Sequence, residues 1–234
     1  MTYTPTIYDW RYTVMPYQQV FRAGGVALDG GMTVGGVGVE SPEPGGRAEL
    51  LMEFGKIANA DANLDASWLA SRMLNGAVFR IRLFAPTVQL VADSALGGST
   101  GLGVNWSNNL SWSGGAAWAF DPQAGIVGTA AKGASSFVVN MAPYGQVLKI
   151  GHVIGFHIGG YDFAHVVTNI SYNATNRATV EIQPPLRRAL GALDNMKLRP
   201  TATVTCVNAR DVVGNFLYGI SATVNPARFV EALV

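Results

Sequence analysis

Three observations predict a mainly β fold, built as β-sandwich or barrel-like domains with one short α-helix at about residues 61–75. Short apolar, β-branched runs recur between turn signals, which is the pattern of many short strands. Glycine (28) and proline (11) are frequent in the 234 residues, and a convincing helical stripe occurs once. Charged residues make up 13% of the chain, about half the usual ~25%. A folded chain of this size exposes on the order of 10,000 Å². With 16 basic and 15 acidic side chains, roughly one charge serves each 330 Å², so uncharged patches are unavoidable and favour contact with other proteins.

Taken in order, Ile7 to Val14 (IYDWRYTV) reads as a first strand ending before Pro16, and Gln19 to Phe21 as a short second one. Met32 to Glu40 is β-branched but dense in glycine, Ser41 to Gly46 is a loop, and Arg47 to Phe54 (RAELLMEF) favours a strand because no cap precedes it. The helix follows. Asp61 suits its N-cap, Asp65 its first turns and Asn75-Gly76 its C-terminus, with Leu64, Trp68, Leu69 and Met73 as the apolar stripe. Ala77 to Phe84 alternates Val78, Arg80 and Arg82 against Phe79, Ile81 and Leu83, the signature of a half-buried strand.

Thr87 to Tyr144 differs in character. It places Trp106, Trp112, Trp118 and Phe120 among Gly, Ser and Asn, and Asp93 is its only charge before Asp121. So long a bare loop is improbable in a folded domain, so either it folds as added hairpins or neighbouring subunits order it. Three segments result: an N-terminal β domain with the helix (1–86), a Gly/Trp-rich insertion or partner-contacting region (87–144), and a C-terminal meander with closing strands (145–234).

That meander centres the chain. Val147 to Ile158 ends at the Gly159-Gly160 turn; Tyr161 to Ser171 follows; after Asn173-Ala174-Thr175-Asn176, Ala178 to Ile182 completes it and Pro184-Pro185 stops it. Leu198 to Val207, Phe216 to Val224 and Pro226 to Leu233 close the chain. Within the meander lie Gly151-His152-Val153-Ile154, Gly160-Tyr161-Asp162-Phe163-Ala164-His165-Val166-Val167 and Arg177-Ala178-Thr179-Val180-Glu181-Ile182-Gln183-Pro184-Pro185-Leu186-Arg187. They resemble a segment of tailed-phage tail proteins, "G-D-x-I … G-x-x-Y-x-V … G-x-A-T-V-x-I-x-P-P-L-R". The ending Phe229-Val230-Glu231-Ala232-Leu233 is similar to the F-x-E-A-hydrophobic tail of the same proteins. His152 stands where an acid is usual, and Asn176-Arg177 where glycine is common. The core match covers about a sixth of the chain. The resemblance implies a distal tail or tail-tip structural protein of a long-tailed phage, for which a strand, a helix and an arginine-bearing strand are expected in the N-terminal half.

Sites of chemistry are weighed against plainer roles. His152, His157 and His165 fall within a short span, but His152 and His157 have opposite parity on a straight strand, and carboxylates or thiolates at ligand spacing are missing. Ordinary sheet positions are expected, with no metal and no cofactor. Cys206 stands alone in an apolar run and reads as core. Asp61 and Asp65 are explained by the helix start; Glu49 and Glu53 flank an apolar run without a second role. No nucleophile elbow is present, and Gly97 to Gly103 lacks the lysine of a phosphate loop. No catalytic residue is assigned, and an enzyme is not expected.

With a net charge of +1 and only Arg187-Arg188 adjacent, no nucleic-acid specificity is expected. Asp9 and Arg11 interrupt the N-terminus before any signal-like run, and no stretch is long and apolar enough to span a membrane. The expectation is a virion protein assembled in the host cytoplasm. Its partners are itself, as a ring that the resemblance makes hexameric, and the tail tube, hub and tip proteins. The alternative is a carbohydrate-binding module that stacks sugars on Trp106, Trp112 and Trp118. A glycan-cleaving tail enzyme is a distant third.

Overall fold

The computed structural model describes residues 5–24, 26–32, 38–43, 46–57, 60–84, 121–213 and 224–232. The fold is mainly β, as expected, and its contacts divide it into unit 1 (Met1–Leu83 with Ala202–Val234) and unit 2 (Phe84–Thr201). Segment 1–86 supplies most of unit 1. The described part of 87–144 and the meander of 145–234 share unit 2, while the last strands return to unit 1.

Unit 1 holds β1 (Ile7–Asp9), β2 (Pro16–Arg22), β5 (Glu49–Phe54), β6 (Val78–Arg82), β13 (Thr201–Cys206) and β14 (Ala227–Glu231) in one sheet of order β1-β6-β13-β14-β5-β2. The sheet curls: Gln19 of β2 donates to the carbonyl of Arg82 (3.2 Å), although β6 lies four places away in the order. β3 (Val26–Met32) and β4 (Gly38–Glu43) form a separate two-stranded ribbon. Of the glycine-dense stretch Met32 to Glu40, Met32 ends β3 and Gly38 to Glu40 open β4, while 33–37 lie outside the described residues; Ser41 to Glu43 belongs to β4 rather than to a loop.

Helix α1 (Ala60–Leu74) covers one face of unit 1 with Ala62, Ala66, Leu69, Ala70 and Met73. Its first turn starts at Ala60, so Asp61 sits inside the helix rather than at its cap, and Gly76 ends it by donating its N–H to Met73 O (3.0 Å). The expected stripe is half right. Leu69 and Met73 are buried, but Leu64 is 71% exposed because three small alanines make the packed face, which lets the helix approach closely. A second helix, α2 (Ala209–Val213), is one turn long and was not expected. The core centres on Trp10, whose ring lies 5.9 Å from Phe54, 5.8 Å from Phe79 and 5.7 Å from Phe229. Its indole N–H donates to Val14 O (3.0 Å). That bond bends the chain just past Asp9, which is why the first strand stops there instead of running to Val14.

Unit 2 contains β7 (Gln123–Gly125), β8 (Ser136–Asn140), β9 (Val153–Ile158), β10 (Tyr161–Tyr172), β11 (Arg177–Gln183) and β12 (Asn195–Lys197), in the order β7-β12-β9-β10-β11-β8 with antiparallel neighbours. The end strands meet. Ile126 bridges Val139, and Val127 donates its N–H to Val138 O at 2.8 Å, so the sheet closes into a small barrel. Phe137, Phe156, Ile154, Val167, Val180, Ile182, Met196 and Leu198 fill it. The meander lies where the sequence places it, except that its first strand begins at Val153 rather than Val147. Gly159 and Gly160 both adopt positive φ (59° and 85°), the two-residue turn whose twist matches its strands. The expected strand Leu198 to Val207 is shortened to β13, which starts at Thr201 beyond Pro200 and ends at Cys206. Of the expected strand Phe216 to Val224, all but its last residue lies outside the described residues.

Replacing Trp10 with alanine removes the ring on which three others pack. Chemical denaturation of this variant should show a loss of about 3–5 kcal/mol; an unchanged midpoint would remove Trp10 from the centre of the unit 1 core.

Candidate functional site

Register decides which side chains of unit 2 meet. Asp162 faces His157 across β10 and β9, and Lys197 faces Gly155 across β12 and β9. Directly paired residues share a sheet face, so Asp162, His157, Lys197 and Gln123 lie on the outside of the barrel while Phe156, His165 and Met196 lie inside. Asp162 has no exposed side-chain surface. Its Oδ1 accepts from His157 Nδ1 (3.1 Å) and from Lys197 Nζ (3.4 Å). A cleft of about 300 Å³ opens beside them, lined by Gln123, His157, Leu193, Asp194, Asn195 and Lys197. Pro200 packs down on Gly155, where an added Cβ would lie 3.1 Å from the proline Cα.

A histidine bonded to a carboxylate through Nδ1 has the orientation of a general base. No described serine, threonine or cysteine hydrogen-bonds to His157, so the arrangement lacks a nucleophile. Its clear effect is mechanical: one buried charge ties β9, β10 and β12.

The three histidines have separate surroundings. Lys149 N–H donates to His152 Nδ1 (3.0 Å), and burial lowers the His152 pKa. His157 serves Asp162. His165 sits in the barrel, where its Nδ1–H donates to Pro184 O (2.7 Å), its ring meets Phe156 at 5.7 Å, and Nε2 has no partner among the described residues. Burial pushes the His165 pKa down to about 4. Among the described residues no group of three or more His, Cys, Asp or Glu is arranged to hold a metal ion.

The other candidates find structural partners. Glu49 pairs with Arg228, Glu53 accepts from the Tyr17 hydroxyl, and Asp65 accepts from the Thr13 hydroxyl. Cys206 is buried, and burial raises its thiol pKa to about 11. Arg188 lies over the Tyr161 ring at 5.5 Å. Trp106, Trp112, Trp118 and Phe120 lie outside the described residues. Sequence reasoning missed the Asp162–Lys197 pair, because the two are 35 residues apart and only strand order brings them together; it also missed an arginine–aromatic cluster around Trp68, described below. Among the described residues no helix is long and apolar enough to cross a membrane. No protein-family model matches the chain, and no curated protein matches it.

Two outcomes test these assignments. Lys197→Met leaves the Asp162 carboxylate buried with one partner fewer and should cost about 3 kcal/mol in denaturant titrations; adding Asp162→Asn should recover much of that loss. For His165 the folded pKa lies below the unfolded value of 6.5. The unfolded chain therefore takes up the proton first, and stability is intact above pH 6.5 and declines as the pH falls toward 4. The decline should reach about 3 kcal/mol and should be absent from the stability curve of His165→Gln. A His165→Gln protein with the full acid slope would contradict the assignment.

Proposed function

We propose that the chain is a virion structural protein of a phage tail, forming an oligomeric ring at the distal end that links the tail tube to tip proteins. The observation that carries this reading is an imbalance of strand edges. In unit 2 the barrel closes on itself. In unit 1 the sheet ends at β1 and β2, and β3 and β4 pair with each other alone among the described residues. Open edges and a lone two-stranded ribbon are poorly stable without a further surface, and sparse charge makes covering them inexpensive.

Two features add support. The β5, α1, β6 succession, with Arg80 and Arg82 on β6, is the strand, helix and arginine-bearing strand that the family resemblance implies. The resembling residues in the meander also serve folding: the glycine turn, the alternating Arg177–Gln183 strand and Pro184, whose carbonyl receives the His165 bond. A ring contact is heterologous and needs no chemistry beyond burial.

Light scattering on the purified full chain should give a closed oligomer, and antibody labelling of phage particles should mark the distal tail. A monomer at high concentration, absent from particles, overturns the reading. If that monomer also changed its tryptophan fluorescence on adding defined glycans, sugar binding through Trp106, Trp112 and Trp118 would replace it.

A further inference from the structure

The outward side of α1 carries an unusual group of side chains. Leu64, Trp68 and Arg72 follow at intervals of four and so share one helix face. Two guanidinium groups lie near the Trp68 ring, with Cζ of Arg11 5.0 Å and Cζ of Arg72 5.7 Å from its centroid. Arg72 also covers the ring of Tyr8 at 4.8 Å, and Tyr8 meets Trp68 edge-on at 5.7 Å. Stacking holds both guanidinium groups, yet neither makes a hydrogen bond or ion pair among the described residues. Their planar N–H donors are set to receive a carboxylate from outside. Leu64, 71% exposed, supplies an aliphatic surface one turn away. Tryptophan, tyrosine and arginine together are the residues in which binding energy concentrates at interfaces.

Unit 2 carries a feature of opposite character. Asp194 donates its N–H to Gly191 O (3.1 Å), while Gly191 N–H donates to Asp194 Oδ2 (2.7 Å). The turn is closed twice, and it holds Leu193 outward at 96% exposure, the most exposed of the large apolar side chains described. Asp194 has no cationic partner among the described residues. A fixed apolar knob thus stands beside an uncompensated anion, against a fixed aromatic surface beside two uncompensated cations.

We propose that the Leu193–Asp194 turn of one copy of this chain seats on the Arg11–Trp68–Arg72 face of the next copy. Charge and shape complementarity select a second copy, because one chain bears both halves and a net charge of only +1 leaves little general repulsion. Leu193 lies against Leu64 and the free edge of Trp68, and the Asp194 carboxylate receives the guanidinium donors. Knob and face differ, so the contact is head-to-tail and leaves one free half at each end until a ring closes. The inference rests on the ring reading and gives it a specific contact.

The test is a charge exchange in the full-length protein, read by light scattering and sedimentation. Arg72→Glu and Asp194→Arg should each weaken association about tenfold or more, and the combined Arg72→Glu/Asp194→Arg protein should regain much of it. Leu193→Ser, at a side chain almost wholly in solvent, should weaken assembly with its unfolding midpoint unchanged. If the wild-type protein forms a ring that these single variants leave intact, or that the exchange does not restore, this contact is wrong while the ring stands. If the wild-type protein is monomeric throughout, both fall.

Discussion

Every backbone N–H and C=O at the margin of a sheet needs a partner, and the two units meet that demand differently. Unit 2 meets it internally. Its end strands β7 and β8 join through Ile126 and Val139, and Phe137 and Phe156 pack edge to face at 5.3 Å in the enclosed interior. The closure explains why β11 alternates so regularly, with Ala178, Val180 and Ile182 inside and Arg177, Thr179, Glu181 and Gln183 outside. Unit 1 curls without such a joint among its described strands, and uses α1 and the Trp10 cluster to cover a face. Among the described strands, β1 and β2 stand at the two ends of that sheet.

Where local rules decide, the sequence was readable. The meander needs only alternation, the Gly159-Gly160 turn and the Asn173 cap, whose Oδ1 accepts from the backbone N–H of Thr175 and Arg177. The helix ends on Asn75-Gly76 for equally local reasons. What escaped depends on partners distant in sequence. Leu64 looks like core until three alanines show that the helix must sit close. Ile7 to Val14 looks like a strand until the indole of Trp10 captures Val14 O. Residues 121–144 look continuous with the tryptophan-rich stretch before them, yet they furnish β7 and β8 of the barrel. No periodicity reports that a sheet will close, because closure is a property of strand order.

Sparse charge has a further consequence for the charges that remain. Some are absorbed: Asp9 by Arg80, Glu49 by Arg228, Asp162 by Lys197. Glu231 is buried on β14, where it accepts from Ala48 N–H across to the segment entering β5. Against that economy, two arginines stacked on one tryptophan, and an aspartate with no cationic partner among the described residues beside an exposed leucine, stand out. The proposed contact between copies would complete both at once.

The Asp162 cluster applies the same reasoning on the outer face of the barrel. Burying a carboxylate with a lysine is no more stabilising than burying two apolar groups of equal volume, so stability alone does not account for it. Strand register does. Displacing β12 or the β9–β10 hairpin by one residue turns every side chain to the opposite face. Val, Ile and Phe would tolerate such a slip in part, since apolar groups interchange at modest cost. Asp162 would not: carried toward Phe156 and Ile154, away from Lys197 and His157, its charge would be both buried and unpaired. An uncharged Lys197→Met/Asp162→Asn barrel should therefore keep most of its stability while losing some of its insistence on one register, and hydrogen exchange along β9 and β12 would reveal that loosening.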